Sequence, residues 1–197
     1  MKTNKFITTV IFILLAASSV TGQDKAKALS INSCVWFGID FTGAKFTSVT
    51  EDPAIIVSQY LNAINSLVLN EPEKYDLKKF FKKTEVITDI ETATERNSQI
   101  DPKELVVSQA HTITPEDVKK IIGRYRNADN TGAGLIFVAE NLNKSTQTGS
   151  YYVCFFDIAS HDIIDCQRMT GKAAGFGFRN YWAGSVYNVM KNWAASK

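Results

Sequence analysis

Three cysteines and two histidines are the side chains of this 197-residue chain best suited to act as nucleophile and base: Cys34, Cys154, Cys166, His111 and His161. A cysteine beside a histidine could attack a carbonyl carbon as a thiolate. No local motif pairs them, because the sequence has no G-x-S-x-G, no H-E-x-x-H and no C-x-x-C. The sequence therefore favours surface histidines over catalytic ones, and it predicts no catalytic residue, no metal ligand and no cofactor.

Cys154 and Cys166 stand six residues on either side of a predicted turn centred near Ser160. If the flanking strands pair antiparallel, the two cysteines can face each other, at the ~5.5 Å between Cα atoms that a disulfide requires. A register slip of one residue would instead turn them to opposite faces of the sheet. Two interpretations stay open, a cross-strand disulfide or two small buried side chains, and Cys34 is unpaired in both.

The candidate binding residues lie in a segment rich in glycine and aromatic residues near the C-terminus. Residues 175–181 are similar to the core of an RNA-recognition signature, but Ala174 stands where that signature has a basic residue. Tyr, Trp and Arg dominate the hot spots of protein interfaces, which makes Arg179, Tyr181 and Trp182 a candidate recognition surface. The alternative is that these aromatic rings pack the last helix onto the sheet.

The elements that must position these residues follow from periodicity and from helix caps. Asp52-Pro53 and Thr114-Pro115 are typical helix starts. Short loops join the last three strands, which predicts an antiparallel meander. The sequence predicts an α+β fold, with helices packed on a mainly antiparallel sheet and a C-terminal three-stranded meander followed by a closing helix. The predicted strands cover residues 34–41, 85–90, 104–108, 135–142, 151–158 and 162–169, and the predicted helices cover 53–70, 73–83, 115–125 and 178–193.

The first 22 residues have the layout of a secretory signal peptide. Lys2 and Lys5 precede an apolar run over residues 6–17, and small or compact residues precede Gln23. The apolar run is shorter than the ~20 residues of a transmembrane helix, so we expect no stable membrane insertion after cleavage. The sequence therefore predicts a periplasmic or secreted protein with a single domain over residues 23–197.

Charge argues against one class of partner. The formal net charge is +2, and Lys2 and Lys5 account for that excess. A chain cleaved before Gln23 is therefore balanced, without the long-range positive field that nucleic-acid binding requires. We expect no nucleic-acid partner.

Several segments of the chain resemble a known group of proteins. Ile39-Asp40-Phe41, the strand LIFVAENL, and the FFDIAS hairpin that leads to GFGFRNYW resemble uncharacterised secreted proteins of gut Bacteroidota. The architecture of that group is similar to the amino-terminal domain of TolB and the periplasmic domain of the curli-export lipoprotein CsgG. The resemblance covers residues 33–194. It implies an exported domain of strands and helices, and it implies no particular activity.

These observations favour a non-enzymatic exported domain that binds an envelope protein or associates with itself. A small hydrolase is one alternative, and it requires His111 or His161 within hydrogen-bonding reach of a cysteine in a cleft. A binder of a small apolar ligand is another, and it requires a cavity between the sheet and the helices.

Overall fold

The computed structural model describes residues 24–196, and the predicted signal peptide lies outside them. The strands are β1 Ser33–Asp40, β2 Lys45–Thr47, β3 Glu85–Thr88, β4 Val106–Val107, β5 Ala133–Asn143, β6 Thr148–Asp157 and β7 Ile163–Lys172. The helices are α1 Lys25–Ser30, α2 Pro53–Ile55, α3 Leu61–Asn70, α4 Leu77–Phe81, α5 Glu91–Ser98, α6 Pro102–Leu105, α7 Pro115–Ile122 and α8 Phe178–Ala195. A π-helical segment, Ile56–Tyr60, joins α2 to α3 without a break.

The sheet is mostly parallel, so the predicted mainly antiparallel α+β sheet is wrong and the fold is α/β. β1 and β2 lie end to end along one edge of β5, and β3 and β4 pair with their outer edges. These five strands all run parallel. On the other edge of β5, β6 pairs antiparallel with β5, and β7 pairs antiparallel with β6. Parallel neighbours need long crossover connections, and the helices between β1, β3 and β5 supply them.

Helices cover both faces of this sheet and enclose two cores. The larger core lies under α3 and α8, where Trp193 packs its ring against Phe81 and Phe155 at centroid distances of 4.7 and 5.7 Å. The smaller core lies on the face of α7, where Phe37 contacts Tyr125 and Phe156. The molecule is therefore a layered sandwich in which β1 and β5 are buried on both sides.

Two predicted helix starts are confirmed by their caps. The Asp52 carboxylate accepts a hydrogen bond from the Ala54 amide, with Pro53 in the first helical position. Thr114 and Asp117 form a reciprocal capping box at the start of α7. Each side chain satisfies an amide that the first helical turn would leave unpaired.

Side-chain amides complete the outer edge of β1 beyond the end of β3. Asn65 of α3 accepts a hydrogen bond from the Ile39 amide at 2.7 Å and donates to the Ile39 carbonyl at 3.0 Å. Asn97 of α5 accepts from the Phe41 amide at 2.8 Å and also donates to the Ile39 carbonyl. These contacts fix α5 against the carboxyl end of β1.

No helix among residues 24–196 has both the length and the apolar character needed to cross a membrane.

Candidate functional site

The structure separates the three predicted binding residues by burial. Trp182 is 0% exposed and packs against Phe46 and Phe178, so it belongs to the core under α8. Tyr181 is half-buried, and Arg179 is exposed on the first turn of α8. The packing interpretation therefore describes Trp182, while Arg179 and one side of Tyr181 remain at the surface.

Arg179 has no acidic partner within the described part of the chain. Its Nε donates to the Oδ1 of the neighbouring Asn180 at 3.1 Å, and the ion pairs found among residues 24–196 do not include it. A positive charge on the first helical turn gains nothing from the helix dipole. Its guanidinium is therefore available to a carboxylate outside this fold.

Phe176, two residues before the start of α8, is the most exposed large apolar side chain among residues 24–196, at 95%. Gly175 and Gly177 flank it, with φ of +136° and +77°. A side chain is strained at both φ values, and a Cβ at Gly175 would lie 2.6 Å from the Asn180 carbonyl oxygen. The loop that presents Phe176 thus has a shape that only glycine supports, and the aromatic ring stands in solvent.

Lys144 is a second cation near the start of α8. It lies on the turn between β5 and β6, and its Nζ is 3.6 Å from the centroid of the Tyr181 ring. A cation at that distance is attracted to the negative face of the ring. Lys144, Phe176, Arg179 and Tyr181 will be called the corner patch.

Of the two interpretations that the sequence leaves open for Cys154 and Cys166, the structure shows the facing pair. Cys154 and Cys166 are directly paired between β6 and β7, with 4.0 Å between their Cα atoms and their sulfurs at bonding distance. Cys34 is buried in β1. Burial raises the pKa of the Cys34 thiol to about 11, although the charge of Lys83 opposes that shift. The Cys34 thiol is therefore protonated near neutral pH and is a poor nucleophile.

Each histidine side chain is hydrogen-bonded to a loop backbone. His111 Nε2 lies 3.2 Å from the Gly43 carbonyl oxygen, and His161 Nε2 lies 3.1 Å from that of Tyr125. Neither histidine forms a hydrogen bond with a cysteine in residues 24–196. The arrangement that a Cys/His hydrolase needs is therefore not assembled by the described residues.

A polar cluster that no motif in the sequence indicates surrounds Asp40, the last residue of β1. The Asp40 side chain is fully buried and lies on the α7 face of the sheet. Its Oδ2 accepts hydrogen bonds from Arg96 Nε at 2.8 Å and from Tyr125 Oη at 2.6 Å. Its Oδ1 accepts from the Thr42 amide at 2.7 Å and from the Thr42 hydroxyl. A buried carboxylate is stable only with such partners.

The protonation of this cluster follows from its contacts. Burial and the negative charge of Asp40 raise the pKa of the Tyr125 phenol far above its ordinary value, so the phenol stays a donor. Burial lowers the pKa of the Arg96 guanidinium, but the hydrogen bond to Asp40 and its charge outweigh that effect, so the pKa is raised. The cluster is thus an arginine–carboxylate pair with neutral donors around it. No signal in the sequence joins these residues, because 56 positions separate Asp40 from Arg96.

Within residues 24–196, no three His, Cys, Asp or Glu side chains come close enough together to hold a metal ion. Comparison of the chain with protein-family models, with curated proteins and with solved structures found no match.

Proposed function

We propose that this chain is an exported, non-enzymatic domain that binds an envelope protein through the corner patch. The observation that carries the proposal is Phe176, which is held almost entirely in water between two glycines. Burying an apolar side chain of this size in a partner contributes about 2 kcal/mol. A loop shaped before binding loses little conformational freedom when the partner arrives, which favours affinity.

The chemistry of the patch specifies the kind of partner. Phe176 requires an apolar pocket, and the unpaired guanidinium of Arg179 requires a carboxylate beside that pocket. Lys144 and Tyr181 add a second cation and an aromatic ring near the start of the same helix. The partner surface is therefore an apolar depression with an acidic margin. A second copy of this chain is the alternative occupant.

Two observations support the proposed location outside the cytoplasm. Residues 1–22 have the composition of a signal peptide. Cys154 and Cys166 lie at disulfide-bonding distance, and disulfides persist mainly in oxidising compartments. The proposed site of action is the periplasm or the cell exterior.

The two alternative functions have less support. The hydrolase lacks a histidine beside a reactive thiol in residues 24–196. A binder of an apolar ligand needs space between the sheet and α8, where Trp36, Trp182 and Trp193 are all fully buried in one packed cluster.

The test is site-specific photo-cross-linking in cells that export the protein. A cross-linker at position 176 is compared with one at Ile87, which is 52% exposed on the edge strand β3. We expect a discrete adduct from position 176 and none from position 87. In the unmodified background, Phe176→Ala and Arg179→Ala should each weaken capture of that partner by about tenfold or more.

Lys191→Ala is the matched control for Arg179, because it removes another exposed cation from α8. Sedimentation velocity over a concentration series distinguishes a second copy from a different partner. Equal cross-linking at positions 87 and 176, or Phe176→Ala without effect on capture, would refute the proposal.

A further inference from the structure

A polar cleft of about 330 Å³ opens beside the carboxyl end of β1. It lies between the loop after β1, the strand β2 and the helices α5 and α6. Six polar residues line it: Thr42, Lys45, Arg96, Gln99, Asp101 and Glu104. In open α/β sheets, ligands bind outside the carboxyl ends of strands, where the chain crosses to opposite sides of one strand. β1 is such a strand, because β3 lies on one side of it and β5 on the other.

The wall of this cleft contains an arginine that is held in position before any ligand arrives. Asp40 accepts from Arg96 Nε, and Thr42 Oγ1 accepts from Arg96 Nη2 at 2.9 Å. Asp40 is itself fixed by Tyr125 and by the loop backbone. Arg96 Nη1 makes no hydrogen bond within residues 24–196, and a quarter of the side chain is exposed. A guanidinium fixed in this way binds a planar carboxylate with little loss of side-chain freedom.

The charges in the cleft are of both signs and lie close together. Lys45 donates to the Glu104 carbonyl oxygen at 2.7 Å, and its Nζ is 4.0 Å from the Glu104 carboxylate. Asp101, whose Oδ1 accepts a hydrogen bond from the Lys103 amide at 2.9 Å, adds a second acid, so the lining holds two cations and two anions. Such a balanced wall gives no net attraction to a phosphate group, which carries no cation of its own to pair with the acids. The lining also has no aromatic ring on which a nucleobase could stack.

We infer that this cleft binds a small zwitterion that carries a carboxylate and an ammonium group a few bonds apart, a free amino acid or the end of a short peptide. Arg96 and Lys45 bind the carboxylate. Asp101 and Glu104 bind the ammonium group. The cleft volume lies at the small end of the range for ligand sites. This site is separate from the corner patch, and it does not depend on the proposed function.

The test is a calorimetric titration of the purified protein with matched probes. L-alanine and L-alanyl-L-alanine carry both charges, N-acetyl-L-alanine lacks the ammonium group and L-alaninamide lacks the carboxylate. We expect saturable binding of at least one zwitterion, and binding about tenfold weaker or absent for both blocked derivatives. The two zwitterions distinguish a free amino acid from a peptide end. Saturable binding of inorganic phosphate alone, or of no probe, would overturn the inference.

Variants connect the titration to the cleft. Lys45→Met and Glu104→Gln should each weaken zwitterion binding by about tenfold. Lys103→Met, on the neighbouring exposed residue of α6, should leave binding unchanged, as should Phe176→Ala. Arg96→Lys keeps the positive charge but removes the parallel N–H donors of the guanidinium, so it should weaken binding of the carboxylate. If Arg96→Lys does not fold, Lys45→Met and Glu104→Gln still test whether the zwitterion binds in this cleft. Unchanged affinity in both of these variants would overturn the assignment.

Discussion

Asp40 receives hydrogen bonds from three residues that lie up to 85 positions away along the chain. In the sequence it is simply an acid at the end of an apolar strand. Its role depends on Arg96 and Tyr125, which two different helical regions bring to the same end of β1. A second buried acid, Glu140 of β5, is paired with Arg168 in a similar way at 2.6 Å. Contacts of this kind cannot be read from spacing, because the partners are adjacent only in the folded chain.

The cysteines allow a prediction at the same scale. Peptide mapping of the native exported protein without reductant should recover the Cys154 and Cys166 peptides linked, because the two residues are paired in register. Cys34 should be alkylated only after denaturation, since it is buried. Replacing both paired cysteines by serine should lower the free energy of unfolding by about 3 kcal/mol for a loop of this length. Free alkylation of Cys154 and Cys166 in the native protein would contradict this pairing.

At the scale of elements, three helices, α1, α5 and α6, lie outside the helices that the sequence predicts. α5 is the longest of them, and its residues 91–98 have the pattern of a polar connection. The segment ETATERNS buries only Ala93 and Asn97, so it has no apolar stripe to mark it as a helix. Hydrogen bonds hold it in place instead, from Asn97 to the edge of β1 and from Arg96 to Asp40. An element anchored by polar contacts has no hydrophobic period, although it supplies part of the polar cleft.

Asn97→Ala should therefore destabilise the fold more than most substitutions of a polar residue do. It leaves the Phe41 amide without its partner in a buried position, and the Ile39 carbonyl loses one of its donors. We expect the free energy of unfolding to fall by about 2 kcal/mol. Chemical denaturation with a spectroscopic readout measures this change.

Asn188→Ala is the matched control for that experiment. Asn188 makes the same kind of contact, from its side-chain amide to the Lys172 carbonyl at 2.8 Å, but at an exposed edge of β7. Water can replace it there, so the change should stay within about 0.5 kcal/mol. Equal losses of unfolding free energy in the two variants would show that the buried Asn97 contacts with β1 stabilise the fold no more than an exposed contact does.

At the scale of the whole molecule, export predicts a change in covalent structure. Mass spectrometry of protein recovered from the periplasm or the medium should give a chain that begins at Gln23, because small or compact residues precede that position. Removal of residues 1–22 also removes Lys2 and Lys5, so the recovered chain should have no net charge. Recovery of a chain that retains Met1 would contradict the prediction.

The predicted meander illustrates how a correct local prediction led to a wrong fold class. β5, β6 and β7 do pair antiparallel in sequence order, and short loops make that pairing visible in the sequence. The same argument does not apply to β1, β2, β3 and β4, which pair in parallel with partners that long segments separate from them. β2 and β4 have only three and two residues, too few to show a period of their own.

By itself, the sequence determined the local features of this protein: the capped starts of α2 and α7, the three long C-terminal strands and the closing helix. Each depends on neighbours within about one turn or one hairpin. Only the tertiary structure decided the parallel order of the first strands, the burial of Trp182, the solvent position of Phe176 and the joining of Asp40 to Arg96. These depend on the packing of distant segments, and a propensity or a period along the chain does not encode which segments meet.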